Sequence, residues 1–172
     1  MSINTALAVF IGLLGGLATY AFLADHFSLG LQIWAAFIAW ASFFHCGGKI
    51  SGFISNALAN IWGVIVAAAT LIAINKAGLA DQLTLPVWAG ICVGVGVFIL
   101  ILATSIPFLS AIPATVYGFA ATAGFALLST NGLNMLTDPT LKNPAVVIAI
   151  SMVIGGVLGV ISEVLAGAVA KS

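Results

Sequence analysis

Apolar residues run along this chain in six blocks, Ala6–Leu23, Leu29–Phe44, Gly52–Ile74, Leu85–Ala103, Ala111–Leu128 and Pro144–Ala170, parted by short breaks. Only one break is long and polar, Ser129 to Asn143. Within the blocks the polar positions recur at helical rather than strand spacing. In the third, Gly52, Asn56, Ala59, Asn60, Gly63, Ala67 and Thr70 share one face, while Ile54, Leu58, Ile61, Ile65 and Ile72 lie opposite. In the sixth, Gly156, Gly159, Glu163, Gly167 and Ala170 share a face, backed by Ile150, Ile154, Ile161 and Leu165. The second block stops at His45-Cys46-Gly47-Gly48-Lys49. Its sixteen residues rise roughly 24 Å, short of the roughly 30 Å hydrocarbon core of a bilayer. One side of it is small (Ala35, Ala39, Ser42, Cys46) and the rest aromatic (Trp34, Phe37, Trp40, Phe44), which suits close backbone contact on the small side.

Composition decides what such helices are for. Hydrophobic residues make up 63% and charged residues 5% of the 172, with a mean hydropathy of +1.29. A soluble domain carries about a quarter of its residues charged, so the pattern predicts an all-α, polytopic membrane protein of six transmembrane helices in a single transmembrane domain, 1–172. The first block follows no lysine or arginine and is expected to be a span rather than a cleaved signal. With four lysines and no arginine, phosphate and nucleic-acid partners find no support. Lys49 and Lys171 fall on one side and Lys76 and Lys142 on the other, so the positive-inside rule is tied. The clustering of Asp25, Asp81 and Asp138 opposite the amino terminus places both termini in the cytoplasm.

The two halves resemble one another. Gly12-x-x-x-Gly16 has a counterpart in Gly90-x-x-x-Gly94, Ile33-Trp34-Ala35 in Ile112-Pro113-Ala114, and Trp62-Gly63-Val64-Ile65 in Leu158-Gly159-Val160-Ile161. This alignment sets Gly63 against Gly159 and Ala67 against Glu163. Three spans per unit is odd, so repeats 6–74 and 85–170 would form a 3+3 inverted repeat. Glycine faces on the first, third, fourth and sixth helices would let backbones approach closely.

Glu163 is the one charge well inside an apolar block, where even lenient scales charge an acid a few kcal/mol. It either lines a pore and senses protons, or sits at the interface and reaches for headgroups or caps a neighbouring element. Asn56 and Asn60, one turn apart, either meet a polar solute or bond neighbouring helices at roughly 1 kcal/mol. Thr70 extends their face. His45 stands where the second helix leaves the membrane and would titrate near neutral pH. Trp34, Phe37 and Phe44 would line a constriction or face lipid. His26, His45, Cys46 and Cys92 lie too far apart in sequence for a metal set, so neither metal nor cofactor is expected. Asn143-Pro144-Ala145 matches the aquaporin triplet, but in a single copy it is expected to cap the sixth helix, with proline at its first position. No HExxH, G-x-S-x-G or paired intramembrane aspartates occur, which argues against an enzyme.

The stretches WAAFIAWASFFHCGGKISGF and IPATVYGFAATAG resemble the YcdZ-like family of bacterial inner-membrane proteins, domain-of-unknown-function family 1097. The resemblance implies a multi-span protein of the bacterial inner membrane and carries no activity with it. The residues themselves point to a channel or facilitator for a small neutral or weakly acidic solute, embedded in the lipid bilayer as a homo-oligomer. A non-conducting scaffold or accessory subunit, and a proton-coupled transporter using Glu163, remain the alternatives. The sharpest expectation is that the third and sixth blocks turn matching polar flanks toward one wet space.

Overall fold

The computed structural model describes residues 1–25, 28–77 and 80–170. The metal-ligand count that included His26 and the charge placement that included Lys171 therefore extend outside the described residues. Every regular element described is helical: α1 (Ile3–Ala24), α2 (Ile33–His45), α3 (Lys49–Lys76), α4 (Ala80–Leu83), α5 (Leu85–Leu102), α6 (Ile112–Leu128), α7 (Gly132–Met135) and α8 (Pro144–Val169), with 3₁₀ turns at Ala103–Ser105 and Pro107–Leu109.

Local chemistry sets the ends. Ser2 accepts a bond from the Thr5 N–H at the start of α1, and Asn143 from the Ala145 N–H at the start of α8, with Pro144 in the first turn. The Asn-Pro-Ala triplet is thus a helix cap. α2 begins at Ile33 rather than Leu29, because Asp25 Oδ1 takes the Leu29 and Gly30 N–H groups at 2.9 and 3.2 Å and ties that stretch into a loop. The α2–α3 turn is closed by Gly47 and Gly48, with φ of +90° and +66°, a region glycine enters without strain. In consequence α3 begins at Lys49, one turn before the apolar block does.

Four helical stretches, Ile3–Ala24, Lys49–Lys76, Leu85–Ser105 and Pro144–Val169, are 21 to 28 residues long and apolar enough to cross a membrane. The other two, α2 with 13 residues and α6 with 17, rise only about 20 and about 26 Å. Length and hydropathy alone therefore support four spans, where the sequence pattern suggested six.

The two long central helices, α3 and α8, lie against each other, and each also packs on one short helix, α3 on α6 and α8 on α2. The outer helices follow the same plan, α5 beside α3 and α1 beside α8. At the α3–α6 crossing a Cβ on Gly63 would run into the Thr115 carbonyl oxygen, and at the α8–α2 crossing a Cβ on Gly155 would run into that of Ala36. Thr115 follows Ala36 by 79 positions, the offset already found between Ile33 and Ile112. An alignment of the halves on these two crossings sets Gly63 against Gly155, one turn before Gly159, and Glu163 against Leu71 rather than Ala67. In this register Thr70 matches Ser162, and both are buried hydroxyls.

The Gly-x-x-x-Gly pairs do not make the close approaches expected of them. Nothing lies within 4 Å of a Cβ built at Gly12, Gly16, Gly90 or Gly94. Their neighbours do touch: a Cβ on Gly15 would stand 3.3 Å from the Phe37 ring, and one on Gly96 would overlap the Thr70 hydroxyl. The polar loop is not bare either. Leu136, 4% exposed, packs on Leu71 and Ala126, and Asn143 Nδ2 donates to the Leu136 and Asp138 carbonyls at 2.9 and 3.0 Å.

Candidate functional site

The polar face of α3 is turned inward and sealed. Asn56 and Asn60 are 1% and 2% exposed. Asn56 Nδ2 donates to the Ala39 carbonyl at 3.1 Å, and Asn60 Nδ2 to Asn56 Oδ1 at 2.7 Å and to the Asn56 carbonyl at 2.8 Å. On α8, Gly156 approaches this pair, a Cβ there standing 3.0 Å from Asn56 Nδ2. The flanks of α3 and α8 thus close on each other through side chains. That corrects the expectation of a common wet space between them. Asn60 Oδ1 is left without a partner.

Glu163 is half-buried near the end of α8, and its Oε2 accepts the Lys49 N–H at 2.7 Å. That N–H heads α3, where Gly48 as N-cap supplies no side chain. A carboxylate there satisfies an orphan donor and meets the positive end of the helix dipole. A Cβ on Gly48 would collide with the Glu163 carboxylate, so the glycine is needed for the approach as well as the turn. Of the roles weighed for Glu163, the capping one is that whose contact is seen.

The remaining candidates scatter. Thr70 borders an apolar groove of about 430 Å³ between α3 and α5, walled by Trp62, Trp88, Cys92 and Gly96, but its hydroxyl donates to the Val66 carbonyl at 2.8 Å. Phe37 stacks on Trp40 with ring centroids 5.9 Å apart and covers Gly15 of α1. Phe44 meets Phe43 edge-on at 5.0 Å. Trp34 and His45 border cavities at opposite ends of α2.

Those cavities belong to the seam between α2 and α6, which run antiparallel. At one end a cavity of about 330 Å³ is bordered by Ser42, His45 and Cys46 from α2 and its turn, and by Ser110, Pro113 and Ala114 from the start of α6. At the other end one of about 450 Å³ is bordered by Gln32 and Trp34 and by Gly124, Phe125 and Ser129 from the close of α6. Moved by the 79-position offset, His45 falls on Gly124, Cys46 on Phe125, Ala111 on Gln32 and Pro113 on Trp34. Between the cavities, half-buried Ile38 and Tyr117, related by the same offset, pack on a cluster that includes Ala35, Ala39, Ala121 and Met152. Beyond the second cavity lies a third, of about 390 Å³, with Asp25 and Lys142 on its rim. In the adjoining loop the Thr140 hydroxyl and N–H hold the Asp138 carboxyl below the usual range.

Sequence reasoning missed Ser42, Gln32, Ile38 and Tyr117. Ser42 sat on the small face of α2 and was counted as a packing residue. Its hydroxyl is 1% exposed and has no hydrogen-bond partner, which spacing alone does not reveal.

An all-helical bundle with four helices long and apolar enough to cross a membrane, built around two sealed central helices, has the make-up of a multi-pass membrane protein. The model of the family described as "Protein of unknown function (DUF1097)" matches residues 8–167, and the chain belongs to that family. No curated protein and no solved structure matches it.

Proposed function

We propose that this protein is a transport protein of the bacterial inner membrane, passing a small neutral or weakly acidic solute along the α2–α6 seam. The observation that carries the reading is the pair of cavities at opposite ends of two antiparallel short helices, with Ile38 and Tyr117 between them. Short helices shorten the barrier a solute must cross, and local thinning of the bilayer lets them count as crossings, which gives six. The matched crossings at Gly63–Thr115 and Gly155–Ala36 support an inverted 3+3 duplication. Under that symmetry the seam is the element shared by both halves, and its two mouths are equivalent. A second copy of the chain packs beside the seam in a homo-oligomer.

The sealing of Asn56 and Asn60 and the capping role of Glu163 favour one rival, a non-conducting scaffold. They take support away from proton coupling through Glu163. Stopped-flow swelling of proteoliposomes with urea, glycerol and short acids separates the two. Flux above protein-free vesicles, lost at least tenfold in Ile38→Trp, is the expected result. Equal rates with and without protein overturn transport.

A further inference from the structure

One stripe on each short helix joins the two cavities of the seam. On α6, Pro113 borders one cavity and Ala120, Gly124 and Leu128 the other, with Tyr117 between them at the same helical spacing. On α2 the stripe runs Trp34, Ile38, Ser42 and His45. Ile38 and Tyr117 therefore form the waist of the seam, and both are half-buried rather than sealed.

The waist offers a passing solute very little. Between the cavities lie residues 35–41 of α2 and 115–119 of α6, and none carries a charge. Two of the three polar side chains there are already engaged. Trp40, 3% exposed, donates from Nε1 to the Ser162 hydroxyl at 3.0 Å. Thr115, 0% exposed, donates to the Ile112 carbonyl at 2.9 Å. The third is Tyr117. Its hydroxyl makes no hydrogen bond among the described residues and is not enclosed. The side chains packed behind the waist, among them Val64, Ile148 and Met152, are apolar. Ile38 and Tyr117 both stand more than one turn inside their helices. The partial charges of the helix ends have therefore faded there, and the antiparallel pair favours neither sign.

A polar solute crossing such a waist leaves its water behind. For an ion that loss is far greater than for a neutral molecule, and no countercharge offsets it. A neutral solute gives up only hydrogen bonds, and a hydroxyl, which both donates and accepts, returns one to an amide or an alcohol alike. We propose that Tyr117 is the selectivity-determining residue of the seam: its hydroxyl hands uncharged, hydrogen-bonding solutes from one cavity to the other, while the apolar waist turns back ions of either sign. A weak acid then crosses in its neutral form only. The inference rests on the seam as a solute route and narrows the class of solute that the route takes.

The test compares solutes of one shape and different charge in proteoliposomes holding the full chain: urea with guanidinium, and acetamide with acetate at neutral pH. Urea and acetamide are expected to pass faster than in protein-free vesicles, and guanidinium and acetate are not. Tyr117→Phe keeps the ring and removes only the hydroxyl, so it should slow urea and acetamide by about threefold to about tenfold, the worth of one hydrogen bond. Adding Ile38→Gln to Tyr117→Phe returns a hydrogen-bonding group from the facing helix and should recover most of the lost rate, which a merely structural role for Tyr117 would not allow. Thermal unfolding establishes that each variant is folded. Unchanged urea flux in Tyr117→Phe, a loss that Ile38→Gln does not recover, or ions passing as fast as their neutral counterparts overturns the inference and leaves the seam standing as a route. Equal rates with and without protein for every solute bring down the seam and the inference together.

Discussion

The Glu163 carboxylate accepts the backbone N–H of Lys49 at 2.7 Å, joining the end of α8 to the start of α3 across 114 positions of chain. Two things are satisfied by it: a helix-terminal donor and a carboxylate that would otherwise sit unpaired at the rim of an apolar helix. Glu163→Gln keeps an accepting oxygen and loses only the charge–dipole part, so it should cost below about 1 kcal/mol. Glu163→Ala removes the cap from an exposed N–H that water can reach and should cost about 0.5–2 kcal/mol. Thermal unfolding in detergent measures both. Flux should survive in Glu163→Gln, whereas a proton carrier at this position would lose its coupling.

Much of the fold was legible because membrane helices announce themselves by hydropathy, and Asn143-Pro144 by its capping chemistry. A likeness between the halves was legible in outline through the offset between Ile33 and Ile112. Its register was not, because Gly155, Gly156 and Gly159 all suit a close crossing and only contact decides among them. The site was hidden for a different reason. Asn56 and Asn60 are conspicuous in an apolar helix, yet their amide N–H groups are taken up within the protein, by the Ala39 carbonyl and by Asn56 itself. Ser42 is inconspicuous, and its unpaired state depends on where the Cys46–Gly48 amides go. Polarity by itself marks where a bond must be made and leaves open whether the partner is protein or solute.

The two close crossings can be tested directly. Gly63→Ala drives a methyl into the Thr115 carbonyl and Gly155→Ala drives one into that of Ala36. Neither backbone can yield without moving a helix, so each should cost about 1–3 kcal/mol or more, and by similar amounts. Gly12→Ala meets open space and should leave the unfolding temperature unchanged or slightly raised. A large cost at Gly12, or a negligible one at Gly155, would contradict these contacts.

Asn56 holds the α2–α3 contact through the Ala39 carbonyl and also accepts from Asn60. Asn56→Ala breaks both bonds and leaves Asn60 Nδ2 only the Asn56 main-chain oxygen. Interhelical bonds of this kind in membrane proteins are worth about 0.6 to about 1.7 kcal/mol, and the loss should fall in that range. Solute selectivity should be unchanged, since the side chain borders no seam cavity. Altered selectivity at unchanged stability would put Asn56 back on the route.

The two cysteines report on opposite environments. Cys46 is half-buried at the mouth beside Ser42, while Cys92, 9% exposed, lines the apolar groove between α3 and α5. Thiol-directed reagents must reach the sulfur, and although burial pushes the Cys46 thiol up and slows its reaction, the mouth it borders admits a charged reagent that the apolar groove around Cys92 does not. A membrane-impermeant charged methanethiosulfonate should therefore modify Cys46 and spare Cys92, as read by intact-mass spectrometry on wild type and on Cys46→Ser. The adduct occupies the cavity that Ser42 and Ala114 border, so labelling should lower flux in wild type and leave that of Cys46→Ser untouched. With six crossings and cytoplasmic termini the α2–α3 turn faces the cytoplasm, and reagent should act on inside-out vesicles only. Labelling from the opposite face inverts the orientation, and labelling of Cys46 without any loss of flux removes the mouth from the route.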